Sequence, residues 1–354
     1  GDVLLALPDA GTGGSGVDSG GGLVSPPQET GSGNSKPSAD ASGQGNMSSQ
    51  AAEVDPECLD GQYSETLPNP SASIDDLIAS YSAGAVVDFI LGMLERRYPV
   101  GSVLIEGGLA GKDSGFGLGD CIEQFLYQRD TATQVISSLS TLVHERGHFY
   151  DISLGSFAGA TYIFTPETKF TCQGGSIPDF GGKTFARSLI LSDEYAQLHK
   201  PCETFRSKDC DDSYAPIYLD GDPDNGNFES GDQGFDMLLE EVVQYVNSLA
   251  TDYAFSEFVG GSISARDGIL TFLWYMERYL RMARLDYPEV YTHLTGDPCW
   301  RSAILTVWGR AWLYLDLTEG MNSLGIDDVK LIGLVRAPEL LEEIERVRDA
   351  EGCP

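Results

Sequence analysis

Basic residues are scarce in this chain. It has 22 Lys and Arg against 54 Asp and Glu among 354 residues, which gives a formal net charge of −32 at pH 7. Phosphate backbones and anionic lipid headgroups carry the same sign, so a surface of this charge is repelled at every encounter. The composition therefore argues against nucleic acid and peripheral membranes as partners.

The chain also lacks an apolar run long enough to cross a bilayer, so we expect no transmembrane segment. Gly, Ser, Pro, Asn and Gln dominate from Gly11 to Ala52, a composition that cannot offset its own ordering entropy. We predict a flexible linker over residues 1–57 and one folded domain over residues 58–354. Such a linker is typical of a secreted protein or a tethered bacterial surface protein, whose lipid anchor would lie outside this sequence.

Closely spaced cysteine pairs of the CxxC type are absent, which argues against a thiolate metal site. Seven cysteines in an acidic chain with a long polar leader instead indicate an exported protein with disulfides. Cys202 and Cys210 bracket a short polar loop and are a candidate pair. Because the count is odd, one cysteine is left over, and Cys58 beside the leader is a candidate, although any of the seven could be.

No fixed-period repeat is present, and helical apolar spacing dominates the body of the chain. We predict a predominantly α-helical α+β fold with a small sheet. The predicted strands are VGSVLIEGG (100–108) and ATYIFTP (160–166). Helical patterns cover 74–98, 131–151, 183–199, 235–255, 265–285, 301–317 and 337–350.

Histidine is rare as well, yet two of the four histidines lie in one helical turn, in LVHERGHFYD. His144 and His148 are four residues apart and project from the same face of a helix, so they can bind one zinc ion. Glu145 lies at the edge of that face, where a carboxylate can act as general base on water. Gly147 costs helix stability, which indicates that another segment approaches closely there.

A zinc site of this kind needs a third protein ligand. A metzincin would have its next ligand at position 154, which is leucine, and glycine at position 151, which is Asp151, so that class is excluded. In FDMLLEEVVQYVNSLATDY the apolar arc leaves Glu240 pointing away, whereas Glu241 lies at its border on a stripe with Tyr245, Ser248 and Asp252. We predict Glu241 as the third ligand.

HERGH together with EEVVQY resembles the gluzincins, zinc metallopeptidases with HExxH on one helix and a glutamate ligand on a later one. The resemblance implies a zincin-like catalytic body, zinc bound by His144, His148 and Glu241, and Glu145 as general base. It also implies Tyr245 as a stabiliser of the transition state, although plain packing in a helix interface is the alternative for this residue. The separation of the two motifs exceeds that of the best-known members, so Glu194 remains a rival ligand, as does Glu240.

Two further acidic features bear on metal ions. Asp151 follows His148 on the same face and is a candidate to orient a histidine ligand, although a solvated carboxylate is the alternative. LDGDPDNGNFESGD alternates Asp220, Asp222 and Asp224 in the manner of a calcium-binding loop, but its glycine and glutamate positions depart from the EF-hand pattern. Calcium binding and a plain acidic loop are both open.

These observations predict an exported zinc metallopeptidase that hydrolyses a peptide or protein substrate. Residues 100–108 could supply an edge strand along which an extended peptide lies. The alternative is a tethered binding or assembly protein on a non-catalytic zincin-like scaffold. A third possibility is hydrolysis of a cell-wall amide or another non-peptide bond.

Overall fold

The computed structural model describes residues 53–111, 122, 125–155, 159–173, 187–203, 209–219, 234–259 and 265–354. Helices dominate this part of the chain. In chain order they are α1 (Asp75–Ala79), α2 (Val86–Arg97), α3 (Pro99–Gly111), α4 (Ala132–Ile136), α5 (Leu139–Leu154), α6 (Ala215–Tyr218), α7 (Phe235–Ala254), α8 (Ala265–Asp286), α9 (Pro288–Gly296), α10 (Pro298–Leu317), α11 (Asp328–Val335) and α12 (Pro338–Glu351). Short 3₁₀ turns occupy Ala83–Ala85, Arg187–Ser192 and Ser256–Phe258.

The sheet is small. β1 (Gly159–Ile163) and β2 (Lys169–Gln173) pair antiparallel, with Thr161 opposite Thr171. The strand predicted at 160–166 is therefore confirmed over residues 160–163, and the predominantly helical α+β class is confirmed. Tyr162 of β1 donates its hydroxyl to the backbone oxygen of Asp236, at 3.2 Å, which holds the sheet against the start of α7.

The predicted strand at 100–108 is wrong, because these residues belong to α3. Val100, Gly101, Leu104, Ile105 and Gly108 are buried, at helical spacing. A Cβ at position 108 would lie 2.6 Å from the backbone oxygen of Arg146 in α5. Glycine thus lets α3 pack closely on α5, which is a tertiary preference that the local apolar run could not reveal.

The helix predicted over 183–199 is also largely wrong. Of its described residues, only Arg187–Ser192 are helical, and they form a 3₁₀ turn. The Asp193 side chain accepts hydrogen bonds from the backbone nitrogens of Tyr195 and Ala196, at 2.9 and 3.0 Å. A side chain that bonds its own backbone in this way competes with helix formation and ends the run.

The core is built around α7, which packs against α5, α8, α10 and β1. Seventeen of its 20 residues are buried, so α7 has almost no solvent face. Polar residues of α7 are therefore enclosed as well, and this is what places carboxylates next to the histidines of α5.

Three disulfides join the described cysteines: Cys58–Cys353, Cys172–Cys299 and Cys202–Cys210. The predicted Cys202–Cys210 pair is confirmed. The prediction that Cys58 is left over is wrong, because Cys58 pairs with the C-terminal end of the body, and Cys121 lies outside the described residues. Three disulfides are typical of proteins that fold in oxidising compartments.

Packed structure extends to Glu53, which lies upstream of the boundary predicted at residue 58. We call residues 53–65 the strap. The Glu53 side chain is 2% exposed and forms an ion pair with Arg336, and the strap runs over α10 and α12. None of the helices in the described part of the chain has the length and apolar character needed to cross a membrane.

Candidate metal centre

The contact between α5 and α7 brings the three predicted ligands together. His144 and His148 of α5 and Glu241 of α7 are all buried, and one ligand atom from each lies within 4.8 Å of the other two. The two Nε2 atoms are 3.0 Å apart. Glu241 Oε2 is 3.6 Å from His144 Nε2 and 3.5 Å from His148 Nε2.

These separations fit a tetrahedral zinc ion. Zinc bonds of about 2.0–2.2 Å to nitrogen and oxygen give ligand-to-ligand edges of about 3.3–3.6 Å. Both edges to Glu241 match this range, and the edge between the imidazoles is a few tenths of an ångström shorter. Glu241 Oε2 also has no hydrogen-bond partner among the described residues, although it is buried and faces both imidazoles. A buried, unsatisfied carboxylate oxygen is the arrangement that a cation completes.

His148 is oriented by Glu240. The Glu240 carboxylate contacts His148 Nδ1 directly, so Nε2 points to the centre of the site. Burial alone would lower the pKa of His148, but the charges of Glu240 and Glu241 outweigh it and raise the pKa well above its ordinary value. The expectation that Glu240 points away is therefore wrong: because α7 is enclosed on nearly all sides, its polar face meets α5 rather than solvent.

The other histidine has a neutral partner. His144 Nδ1 lies 3.1 Å from the hydroxyl oxygen of Ser248, one of the residues that the sequence placed on the same stripe as Glu241.

Burial would raise the pKa of Glu241, but the positive charge of His148 dominates and holds this pKa below its ordinary range. The Glu241 carboxylate is therefore ionised throughout the physiological pH range.

Asp151 lies one hydrogen bond further from the histidines than predicted. Its carboxylate accepts hydrogen bonds from the Ile163 backbone nitrogen, at 3.2 Å, and from Gln244 Nε2, at 3.1 Å. Gln244 Nε2 also donates to Glu240 Oε1, at 3.1 Å. Burial, followed by the charge of Glu240, raises the pKa of Asp151 well above its ordinary value. Its described contacts thus place Asp151 beside Glu240, the residue that bonds His148.

One edge of the site is less enclosed than the ligands. Glu145 and Tyr245 are both partly exposed, and the Tyr245 ring packs edge-on against His144 with centroids 4.9 Å apart. The hydroxyl oxygens of Tyr245 and Tyr218 are 2.8 Å apart. Burial raises the pKa of both tyrosines well above 10, so both remain protonated donors. Tyr218 was missed because α6 is too short to give a periodic signal.

Not every predicted residue reaches the site. Glu194 is largely exposed and pairs with Arg281 instead, so the rival-ligand prediction is wrong. Asp220, Asp222 and Asp224 lie outside the described residues, and calcium binding there stays a prediction.

Comparison of the chain with protein-family models, with curated proteins and with solved structures finds no match. Function is therefore inferred from the site itself. Two imidazoles and the Glu241 carboxylate, with the Glu240 carboxylate behind His148, form a buried cluster that could hold a metal ion. Glu145 and two tyrosine hydroxyls flank its more open edge.

Proposed function

We propose that this protein is a zinc-dependent hydrolase of gluzincin type, with a zincin-like catalytic body, that cleaves amide bonds in a peptide or protein substrate. The observation that carries the proposal is the convergence of His144 Nε2, His148 Nε2 and Glu241 Oε2 beside a partly exposed Glu145. Structural zinc sites are closed by four protein ligands, whereas catalytic ones keep a position for water or substrate. Three ligands beside a candidate base support the catalytic type.

The proposed chemistry is divided between the ion and the chain. When bound, zinc supplies Lewis acidity for a water nucleophile and for the scissile carbonyl. Glu145 accepts the proton of the attacking water and later gives it to the leaving amine nitrogen, so it acts as base and then as acid. Tyr245, backed by Tyr218, donates a hydrogen bond to the oxyanion.

The mode of substrate docking must differ from the one that the sequence indicated. Residues 100–108 form a helix packed on α5, so they offer no strand edge to a peptide. The three disulfides support an exported protein, and residues 1–52 are the proposed tether. A cell-wall amide is the alternative bond, because the same three ligands and base would serve it.

Glu145→Gln tests the proposal most directly. The variant is expected to bind zinc as tightly as the wild type but to lose hydrolysis of a library of quenched peptides by at least about 100-fold, since the proton acceptor is gone. Glu241→Gln should lose zinc. Glu194→Gln, which changes an exposed glutamate away from the site, should leave zinc content and turnover as in the wild type.

The rival function, a binding or assembly protein on a scaffold, makes opposite predictions. It is supported if the purified protein is folded and carries no zinc, or if zinc is present and Glu145→Gln leaves every measured property unchanged. Turnover of cell-wall amides but not of peptides would keep the enzyme and change its substrate.

A further inference from the structure

The strap is fixed to the helical body by buried polar contacts. The Glu53 backbone oxygen accepts hydrogen bonds from Trp308 Nε1 and from Arg348 Nη2, and Asp60 forms a buried ion pair with Arg348. A Cβ at position 309 would meet the backbone of Asp60, so glycine in α10 allows the strap to lie directly on the helix. The Cys58–Cys353 disulfide ties the strap to the C-terminus.

At its C-terminal end the strap enters a buried network. Glu65, whose side chain is 1% exposed, accepts a hydrogen bond from Arg310 Nε at 2.7 Å. Arg310 Nη1 donates to Asn247 Oδ1 at 2.8 Å, and Arg310 Nη2 donates to the Tyr98 hydroxyl at 3.0 Å. Asn247 Nδ2 in turn donates to Gln244 Oε1 at 2.8 Å. Arg310, Asn247, Tyr98 and Gln244 are fully buried.

The same network ends at the candidate metal centre. Gln244 Nε2 donates to Glu240 Oε1 at 3.1 Å, and Glu240 contacts His148 Nδ1. The links form a continuous series from the strap to a metal-binding imidazole: Glu65, Arg310, Asn247, Gln244, Glu240 and His148. Gln244 is central, because its oxygen accepts from Asn247 while its nitrogen donates to the two acidic groups beside His148.

We infer that Glu65 and Arg310 are remote positioning residues of the metal centre, through which docking of the strap fixes the orientation of the Gln244 carboxamide, of Glu240 and of His148. The inference rests on the proposed function, since it concerns the same site.

Two physical features make the connection effective. An amide side chain can reverse its oxygen and nitrogen, and the donor from Asn247 selects the orientation in which Gln244 donates to Glu240. Asn247 is held in its own orientation by the fixed positive charge of Arg310, which accepts no hydrogen bond and must face the Asn247 oxygen. Glu65 keeps Arg310 in place, because a buried guanidinium without its carboxylate would turn to other acceptors.

Glu65→Gln is the test, with metal affinity as the measurement. Affinity for Zn²⁺ is determined by competition with a chromophoric chelator, and Co²⁺ absorption reports ligand geometry. Loss of a direct partner of a ligating histidine typically costs about 10–100-fold in affinity, so a partner several links away is expected to cost roughly three- to tenfold. The Co²⁺ spectrum should change as well, which a loss of stability alone would not produce.

Glu53→Gln is the matched control. It removes an ion pair of the same strap, to Arg336, that is not part of the network, and it should leave Zn²⁺ affinity unchanged. A double-mutant cycle with Glu240→Gln measures the coupling between Glu65 and Glu240. In the Glu240→Gln background, Glu65→Gln should add little further loss of Zn²⁺ affinity. Equal effects of Glu65→Gln and Glu53→Gln, no effect of Glu65→Gln, or full additivity with Glu240→Gln would each overturn the inference.

Tyr98→Phe serves if Glu65→Gln fails to fold, since it removes only the hydroxyl that bonds Arg310 and Asn247. Its control is Tyr162→Phe, another buried tyrosine that bonds α7, at Asp236. Tyr98→Phe should weaken Zn²⁺ binding and Tyr162→Phe should not. The reverse result, or equal results, contradicts the inference.

A readout on the metal-free protein separates this inference from the proposed function. The chain has four histidines, so ¹⁵N-histidine NMR can follow each ring. Glu65→Gln should shift the Nδ1 resonance of His148 and leave those of His199 and His293 unchanged. If this holds and no hydrolysis is found, the positioning role stands while the peptidase proposal falls; if His148 is unaffected, the inference fails even where hydrolysis is present.

Discussion

Gly147 of α5 lies directly against the side-chain amide of Gln244 in α7. A Cβ built at position 147 would come within 1.8 Å of Gln244 Oε1 and 2.5 Å of its Cδ. The close approach of a second segment, predicted from a glycine within a helical pattern, is therefore confirmed. The same contact sets the separation of α5 and α7, and with it the distance between Glu241 and the two histidines.

Gly147→Ala is expected to destabilise the protein although alanine is the better helix former. Alanine gains about 1 kcal/mol in helix propensity, but Gln244 is buried and hydrogen-bonded to Asn247, Glu240 and Asp151, so overpacking should cost about 3 kcal/mol, which exceeds that gain. Zn²⁺ affinity should also fall, because Gln244 must leave Glu240. Urea unfolding and chelator competition measure the two effects.

Gly333→Ala is the control, since a Cβ there meets nothing within 4 Å and the residue is exposed in α11. It should stabilise the protein by up to about 1 kcal/mol and leave Zn²⁺ affinity unchanged. A Gly147→Ala variant that is as stable as Gly333→Ala and binds zinc normally would show that the α5–α7 contact is loose.

The histidine pair on α5 could be predicted because its spacing is a local property of the sequence. His144, Glu145 and His148 lie within about one turn, so helical geometry alone places them, and the stripe on α7 singled out Glu241, which lies beside both histidines. Glu240 was misplaced because a helical-wheel argument assumes one buried face. α7 has almost no exposed face, because four other elements surround it. Only the tertiary structure reveals which of these elements meets its polar side.

Element boundaries show the same division between local and tertiary information. The pattern over 74–98 predicts one helix, yet the segment divides into α1, a 3₁₀ turn and α2. At the break, the Ser80 hydroxyl donates to the backbone oxygens of Asp76 and Leu77.

The hydrogen-bond network from Glu65 to His148 has no sequence signal. Its members come from the strap, α10, α7 and α5, and only folding brings them into contact.

Tyr245→Phe is expected to lower kcat by about 100-fold with little change in KM or Zn²⁺ affinity, because a lost oxyanion donor acts only in the transition state. Tyr218→Phe should have a smaller effect of the same kind, since in our proposal it orients Tyr245. Tyr253→Phe, at the far end of α7, is the control. Should Tyr245→Phe raise KM and leave kcat intact, its role would be substrate binding rather than oxyanion stabilisation.

Glu277 of α8 is expected to make the stability of the protein depend on pH. It is fully buried, and neither carboxylate oxygen has a hydrogen-bond partner among the described residues. Burial, with a smaller contribution from the charge of Glu343, raises its pKa well above 4.5. The folded protein therefore keeps this proton at a pH where the unfolded chain has released it. Stability is retained below the unfolded pKa and is lost as pH rises toward the folded one.

Glu277→Met removes this dependence. The variant should be more stable than the wild type by about 1–3 kcal/mol at pH 8, the usual cost of a buried polar group without a partner, and the gain should shrink as pH falls toward 4.5. Urea unfolding at several pH values measures it, with exposed Glu319→Gln as control. A gain that is constant across pH would mean that burial of apolar surface, not ionisation, is responsible.

The Cys58–Cys353 and Cys202–Cys210 disulfides should stabilise the protein to different extents, because the chain segments that they close differ in length. Cys58–Cys353 spans 295 residues and Cys202–Cys210 spans 8. In the chain-entropy model the first stabilises by about 5–6 kcal/mol and the second by about 2–3 kcal/mol. The double variant Cys58→Ser with Cys353→Ser should therefore lose more stability than Cys202→Ser with Cys210→Ser, as measured by denaturant unfolding. It should also weaken Zn²⁺ binding, since the same bond holds the strap that carries Glu65. Equal losses from the two double variants would indicate that the buried Asp60–Arg348 ion pair holds the strap without the disulfide.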